Sequence, residues 1–177
     1  GITDNVPRLD YTDSSCPALL LEPQRTNLIP HSEFTSGYLK HNVTWTYNDA
    51  ESPEGVDNAL KSTFSGTGYS GDTISVTAGT TYTFSLYLKG DANKSCRIYI
   101  DGSGSGGYFF TQKQILLDGT WTRYELTYTI PAGATTANFI IQNYSWGGHT
   151  SVTELYSYGF QLEAGSYATS YIPTYGS

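Results

Sequence analysis

The sequence predicts an all-β chain folded as an antiparallel sandwich of about ten strands. Three observations predict it. No stretch before Asp118 sustains a helical period; apolar and polar residues alternate in runs bounded by Gly, Asp, Asn and Pro. Charged residues are only 14% of the chain while Tyr occupies 16 positions and Gly 19, a mixture rich in residues that suit a pleated, half-buried surface. And 177 residues suffice for one domain with a real core but are short for two.

The elements follow in chain order. Residues 1–26, "GITDNVPRLDYTDSSCPALLLEPQRT", carry three prolines and little periodicity before "ALLLE". They read as an N-terminal extended arm or edge segment on the sandwich, with Leu19 to Leu21 as its buried anchor. Residues 27–165 are the sandwich. It begins with weak strands at "NLIPHSEF", "TWTYND", "ALKSTFS" and "DTISVTA". The clearest strand, "TTYTFSLYLKG", puts Tyr82, Phe84, Leu86 and Leu88 on one face. "CRIYIDG" and "YFFTQKQILL" flank "GSGSGG", read as a flexible loop; no helix follows these glycines, so they are no phosphate cradle. "WTRYELTYTIP" turns Tyr124, Leu126, Tyr128 and Ile130 inward and ends at Pro131, which has no N–H for the ladder. "ANFIIQNYSW" begins apolar on both faces, as a central strand does. "LYSYGFQLE" closes the sandwich with Tyr156, Tyr158, Phe160 and Leu162 facing in, and 166–177 form a C-terminal exit segment.

Charge narrows the function. Nine basic against 16 acidic residues give a net of −7, which removes the usual attraction to nucleic acid and to anionic membranes. A neutral ligand is compatible. No apolar run is long enough to span a bilayer, no signal peptide is expected from the first residues, and the absence of Met makes an excised piece of a larger protein the expectation. Cys16 and Cys96 make no disulfide framework; two buried free thiols are the plainer reading. Catalytic chemistry lacks its residues. Acids cluster in loops (Asp49, Glu51, Glu54, Asp57) or stand alone (Glu125, Glu154, Glu163). His31, His41 and His149 lack metal spacing, and no G-x-S-x-G elbow occurs. The chain is not expected to be an enzyme.

Several segments carry a resemblance. "NLIPHSEFTSG", "TW", "AGTTYTFSLYLKG", "DGTWTRYELTYTIPAG", "ANFIIQ" and "LYSYGFQLEAGS" occur in the order that resembles jelly-roll carbohydrate-binding modules of families 4, 16 and 22. The flanks "PRLDYTDSSCPALLLEPQRTNLI" and "GFQLEAGSYATSYIPT" are together similar to a module of phage tail-fibre, spike and related virion proteins. These resemblances imply a jelly-roll sandwich that binds a polysaccharide or cell-surface glycan without catalysis, in an extracellular or virion setting. A structural or oligomerisation module of a tail fibre is the alternative, and homo-oligomerisation within the larger protein stays open. Many such jelly rolls hold a calcium ion with a Glu after the first-strand Phe and acids in the last strand. Here Thr35 follows Phe34, and Tyr158-Gly159 stand where the acids belong. Glu33 and Glu163 are displaced, so calcium is a weak case and no cofactor is expected.

Sugar binding needs flat aromatic faces plus amide or guanidinium groups. The resemblance points to Trp146, in "NYSWGGH" beside His149, and to Trp45, whose other reading is a core residue; Trp121 is structural in the family. From strand phase alone, Arg97, Tyr99, Gln142 and Tyr144 share the non-core side, with Tyr87, Gln112 and Gln114 as further candidates. Their plain reading is a solvated sheet face.

Overall fold

The computed structural model describes residues 8–10, 18–20, 22–32 and 39–175, the first two stretches by backbone alone. Among the described residues ten strands form: β1 (Arg8–Asp10), β2 (Ala18–Leu20), β3 (Leu39–Glu51), β4 (Asp57–Ser75), β5 (Thr81–Gly90), β6 (Ser95–Gly104), β7 (Gly107–Leu116), β8 (Thr122–Thr129), β9 (Thr136–Asn143) and β10 (Glu154–Ala164). β1 pairs with β2, Leu9 opposite Leu19. The others make one antiparallel path, β7-β6-β9-β4-β10-β5-β8, with β3 on β4. The path folds over into two layers because β4 serves both: residues 60–63 pair with β10, and residues 69–75 pair with β9. Its far edges meet across the core, where the rings of Phe109 on β7 and Tyr128 on β8 stack 5.7 Å apart. This is a jelly-roll sandwich.

Alternation places the core. Phe84, Leu86 and Leu88 of β5, Ile98 and Ile100 of β6, Phe139 and Ile141 of β9, and Phe160 and Leu162 of β10 lie between the layers. Tyr124, Leu126 and Tyr128 pack against them half-buried, as their phase predicts.

Four expectations are corrected. "ALKSTFS" and "DTISVTA" belong to one strand. The chain bends between them at Gly66–Gly68 and is pinned by Asn143, whose Oδ1 accepts the Gly68 N–H at 2.7 Å while its Nδ2 donates to the Gly66 carbonyl at 2.8 Å. "GSGSGG" is no free loop: Gly104 pairs with Gly107 across a two-residue hairpin, and Ser105 N donates to the Ala132 carbonyl at 2.8 Å. Residues 27–32 of "NLIPHSEF" form no strand. Asn27 there intercepts the ladder, its Oδ1 accepting from Leu162 N and Ile29 N at 3.1 Å, and Pro30 offers no N–H. Finally, Tyr156 and Tyr158 face away from the core. Gly159 (φ +67°) carries a bulge in β10, and one extra residue inverts the phase. Leu155 and Ser157 therefore point in before it and Phe160 and Leu162 after it.

The described parts of the flanks meet along β10, through Glu22, Arg25 and Asn27 on one side and residues 160–172 on the other. The Glu22 carboxylate accepts from Ser170 N and its hydroxyl at 2.9 Å. Arg25 donates to the Ala164 carbonyl at 2.6 Å, and Asn27 Nδ2 donates to the Phe160 and Ile172 carbonyls. Beneath them Glu163 is fully buried and accepts from the Thr169 N–H and hydroxyl. The side chains of Leu19 to Leu21, and all of Cys16, Glu33, Phe34 and Thr35, lie outside the described residues. Cys96 is a buried free thiol, pushed up to about 12 by burial.

Candidate functional site

The outer face of the β4-β9-β6-β7 layer gathers the polar and aromatic residues that strand phase had separated from the core. Register does the gathering: Gln142 lies opposite Tyr69 on one side and Arg97 on the other, and Tyr99 lies opposite Gln112 and Ile140. Arg97 is the centre. Its Nε donates to Gln142 Oε1 at 2.6 Å and its Nη1 to Gln112 Oε1 at 2.8 Å. The guanidinium carbon sits 3.9 Å from the Tyr144 ring centroid, 5.0 Å from that of Tyr99 and 5.4 Å from that of Phe110. Such stacking leaves the guanidinium edges directed outward while its faces are partly desolvated.

The rings continue along the face. Phe110 packs 5.4 Å from Tyr99 and 6.5 Å from Tyr108, and Tyr108 and Phe110 are exposed at 67% and 38%. Tyr108 donates its hydroxyl to Asp101 Oδ2 at 2.9 Å, and Asn138 Nδ2 donates to Asp101 Oδ1 at 2.8 Å. Burial first, then the Asp101 charge, pushes the Tyr99 phenol up to about 12 against the pull of Arg97. The phenol is therefore a neutral donor at any physiological pH. On the β3–β4 side, His41 stacks on Tyr69 at 5.4 Å. The floor is tight at Gly71, which lies opposite Ile140: a Cβ there would stand 2.1 Å from the Phe139 carbonyl oxygen.

Of the ten candidate binding residues singled out from sequence, Arg97, Tyr99, Gln112, Gln142 and Tyr144 come together on this face. Trp146 and His149 stand at its end, in the loop after β9. The Trp146 indole N–H donates to the Ile115 carbonyl at 3.3 Å, and its ring meets His149 edge-on at 5.3 Å; Ile115 lies opposite Cys96, one position from Arg97. Trp45 packs half-buried against the core, with Lys40 Nζ 4.5 Å over its ring. Tyr87 lies on the opposite layer, 6.2 Å from Tyr158 and 5.6 Å from the Arg123 guanidinium. The even-numbered side of β5 is core, so Tyr87 has the right phase but belongs to the other sheet. Gln114 is exposed, opposite Arg97. Tyr108, Phe110, Tyr69 and Asp101 escaped the sequence reading. Tyr108 and Phe110 share the phase of Gln112 within "YFFTQKQ" and could have been found by extending it.

Of the calcium pattern that the resemblance raised, Glu33, Phe34 and Thr35 lie outside the described residues. Glu163, the acid nearest that pattern, faces the backbone N–H of Thr169, a donor where an ion needs oxygens. Among the described residues no three His, Cys, Asp or Glu side chains converge.

A family model described as "Carbohydrate binding domain" matches residues 27–145, more than half of the chain. The chain belongs to this family. Its members are non-catalytic binding modules, and carbohydrate is the ligand class of this module. No curated protein matches it in sequence. Among solved structures, the xylan-binding family 22 module of Paenibacillus barcinonensis is similar at 15% identity and a TM-score of 0.54, over 84% of this chain and 100% of that one. The family 22 and catalytic modules of a Clostridium thermocellum xylanase, complexed with xylohexaose, are similar at 10% identity and 0.54, over 82% of this chain but 28% of that one. Tailspike protein 4 of bacteriophage CBA120, in its enzymatically active domain, is similar at 15% and 0.57, over 77% of this chain and 21% of that one. At such identities the likeness is one of fold.

Proposed function

We propose that the module holds a polysaccharide or cell-surface glycan on the β4-β9-β6-β7 face, as an adhesion module of a phage or other virion protein outside the cell. Tyr99, Tyr108 and Phe110 stack on the apolar faces of sugar rings, and Arg97, Gln112 and Gln142 donate to ring oxygens and hydroxyls. Trp146 and His149 close one end. The observation that carries the reading is Arg97, fixed by two amides and set among three rings on an open face. The virion setting rests on the two flanking motifs and on the tailspike likeness. Each contact is partly solvated, so one copy binds weakly and several copies on a particle bind firmly.

Affinity electrophoresis through gels containing a panel of neutral and acidic polysaccharides tests this. At least one polymer retards the module, and Phe110→Ala weakens that retardation about tenfold, the value of a lost stacking platform. Trp146→Ala weakens it less because its indole N–H is already spent on Ile115. Trp45→Ala alters stability and leaves retardation unchanged. A module retarded by no polysaccharide, and a stable trimer by light scattering, would favour the structural role instead.

A further inference from the structure

The polar centre of the face consists of donors. A guanidinium has no acceptor, so the amide oxygens of Gln112 and Gln142 are the atoms forced toward Arg97, and both amide nitrogens point away. Neither nitrogen has a partner among the described residues. Of the five N–H donors of a guanidinium, Arg97 spends one from Nε and one from Nη1; the remaining three have no partner among the described residues. No carboxylate forms an ion pair with Arg97 there: the described ion pairs are those of Lys61 with Asp49 and Glu154. Among the described residues the one acid on the same face, Asp101, is four residues further along β6, about 13 Å at ~3.3 Å per residue. It is already satisfied by Tyr108 and Asn138. Arg97, Gln112 and Gln142 thus present a positive cluster of unspent N–H donors on this face, apart from its carboxylate.

Neutral hydroxyls both donate and accept, and they leave such a cluster's charge unmatched. A carboxylate only accepts, through two oxygens, and matches a guanidinium fork. We propose that the glycan is acidic, with a uronic-acid carboxylate seated on Arg97 between the Gln112 and Gln142 amides. This rests on the glycan-binding reading above and names its substrate class. The net charge of −7 opposes any diffuse attraction to a polyanion, so retention by one reports a local site.

The test is affinity electrophoresis in polygalacturonate, alginate and hyaluronate, each beside its carboxyl-reduced counterpart, in which the same backbone carries CH2OH groups. Dextran sulfate serves as a bare-charge control. At least one carboxylated polymer should retard the module about tenfold or more strongly than its reduced form. Arg97→Gln should remove that difference, and Lys94→Gln, with the same change in net charge, should keep it. If Arg97→Gln unfolds, Arg97→Lys, which keeps the charge but loses the fork, should lose most of the difference. Equal retardation by acidic and reduced polymers, retardation by neutral polymers or dextran sulfate alone, or an acidic preference that Arg97→Gln leaves intact overturns the acidic assignment and leaves glycan binding standing. Retardation by no polymer at all overturns both.

Discussion

Replacing Asn143 by Ala removes the clamp at which β4 passes from one layer to the other. Asn143 is 3% exposed. Its amide accepts the Gly68 N–H at 2.7 Å and donates to the Gly66 and Val152 carbonyls at 2.8 and 3.2 Å. In the alanine variant the buried Gly68 N–H loses its acceptor and two carbonyls lose a donor. A buried donor left unsatisfied costs about 1–3 kcal/mol, and a lost ordinary hydrogen bond about 1. The expected loss is roughly 2–4 kcal/mol, or about 5–15 °C in melting temperature for a chain of this size. Asn143→Asp keeps the acceptor but sets a charged oxygen against the two carbonyls, so it should cost at least as much. Equilibrium urea unfolding measures both, with a lower midpoint and unchanged slope expected. If both variants fall within about 0.5 kcal/mol of the parent, the β-ladders alone hold the bend and the reasoning fails.

Three further outcomes follow from buried groups elsewhere. Glu163→Ala strands the Thr169 N–H and hydroxyl and should cost about 2–4 kcal/mol; limited proteolysis should then cut within 166–175, and an uncut tail would show that Glu22 and Asn27 suffice. The Cys96 thiol is raised from 9.0 to about 12 by burial, so the folded state holds its proton more tightly than the unfolded chain. Stability is then full below pH 9 and falls as pH rises from 9 toward 12. The loss at pH 10.5 should be about 2 kcal/mol, measured as the urea midpoint at pH 8 and 10.5, and Cys96→Ala should flatten that dependence. Gly71→Ala places a Cβ 2.1 Å from the Phe139 carbonyl oxygen and 2.7 Å from Ile140 Cδ1. It should destabilise by about 1–3 kcal/mol and weaken polysaccharide retardation by separating Tyr69 from Gln142, whereas unchanged binding would place the ligand away from β4.

What the sequence discloses of this fold is what periodicity can carry. The inward faces of β5 and β8 are read correctly residue by residue, because uninterrupted alternation has one solution once a core exists. The failures occur where a single residue resets the pattern. Gly159 inverts β10 by one position, so Tyr156 and Tyr158 leave the core while Phe160 and Leu162 remain. At Gly66–Gly68 a pair of turn residues marks a bend within one strand instead of its end. In "GSGSGG" the same residue types mark a hairpin bound to Ala132. Glycine announces a change of direction but not which change. The decision lies with distant partners such as Asn143 and the 131–134 turn, which no local window contains.

The candidate site divides along the same line. Strand phase identifies Arg97, Tyr99, Gln112, Gln142 and Tyr144 as outward-facing, but it also admits Tyr87, whose strand lies in the other layer. Phase says which side of a sheet a residue takes; strand order says which sheet, and order is set by long-range pairing. The two tryptophans are told apart only by packing. Trp45 packs against the core, whereas Trp146 stands at the end of the face with its N–H on the Ile115 carbonyl. The residue around which the face is built is Arg97, which by itself is an unremarkable polar residue in an alternating strand. Only pairing between β9, β6 and β7 sets two glutamine oxygens against it and turns their nitrogens outward. An isolated arginine would be an ordinary solvated cation; held between two amides and three rings, it becomes a fixed cluster of donors awaiting an acceptor.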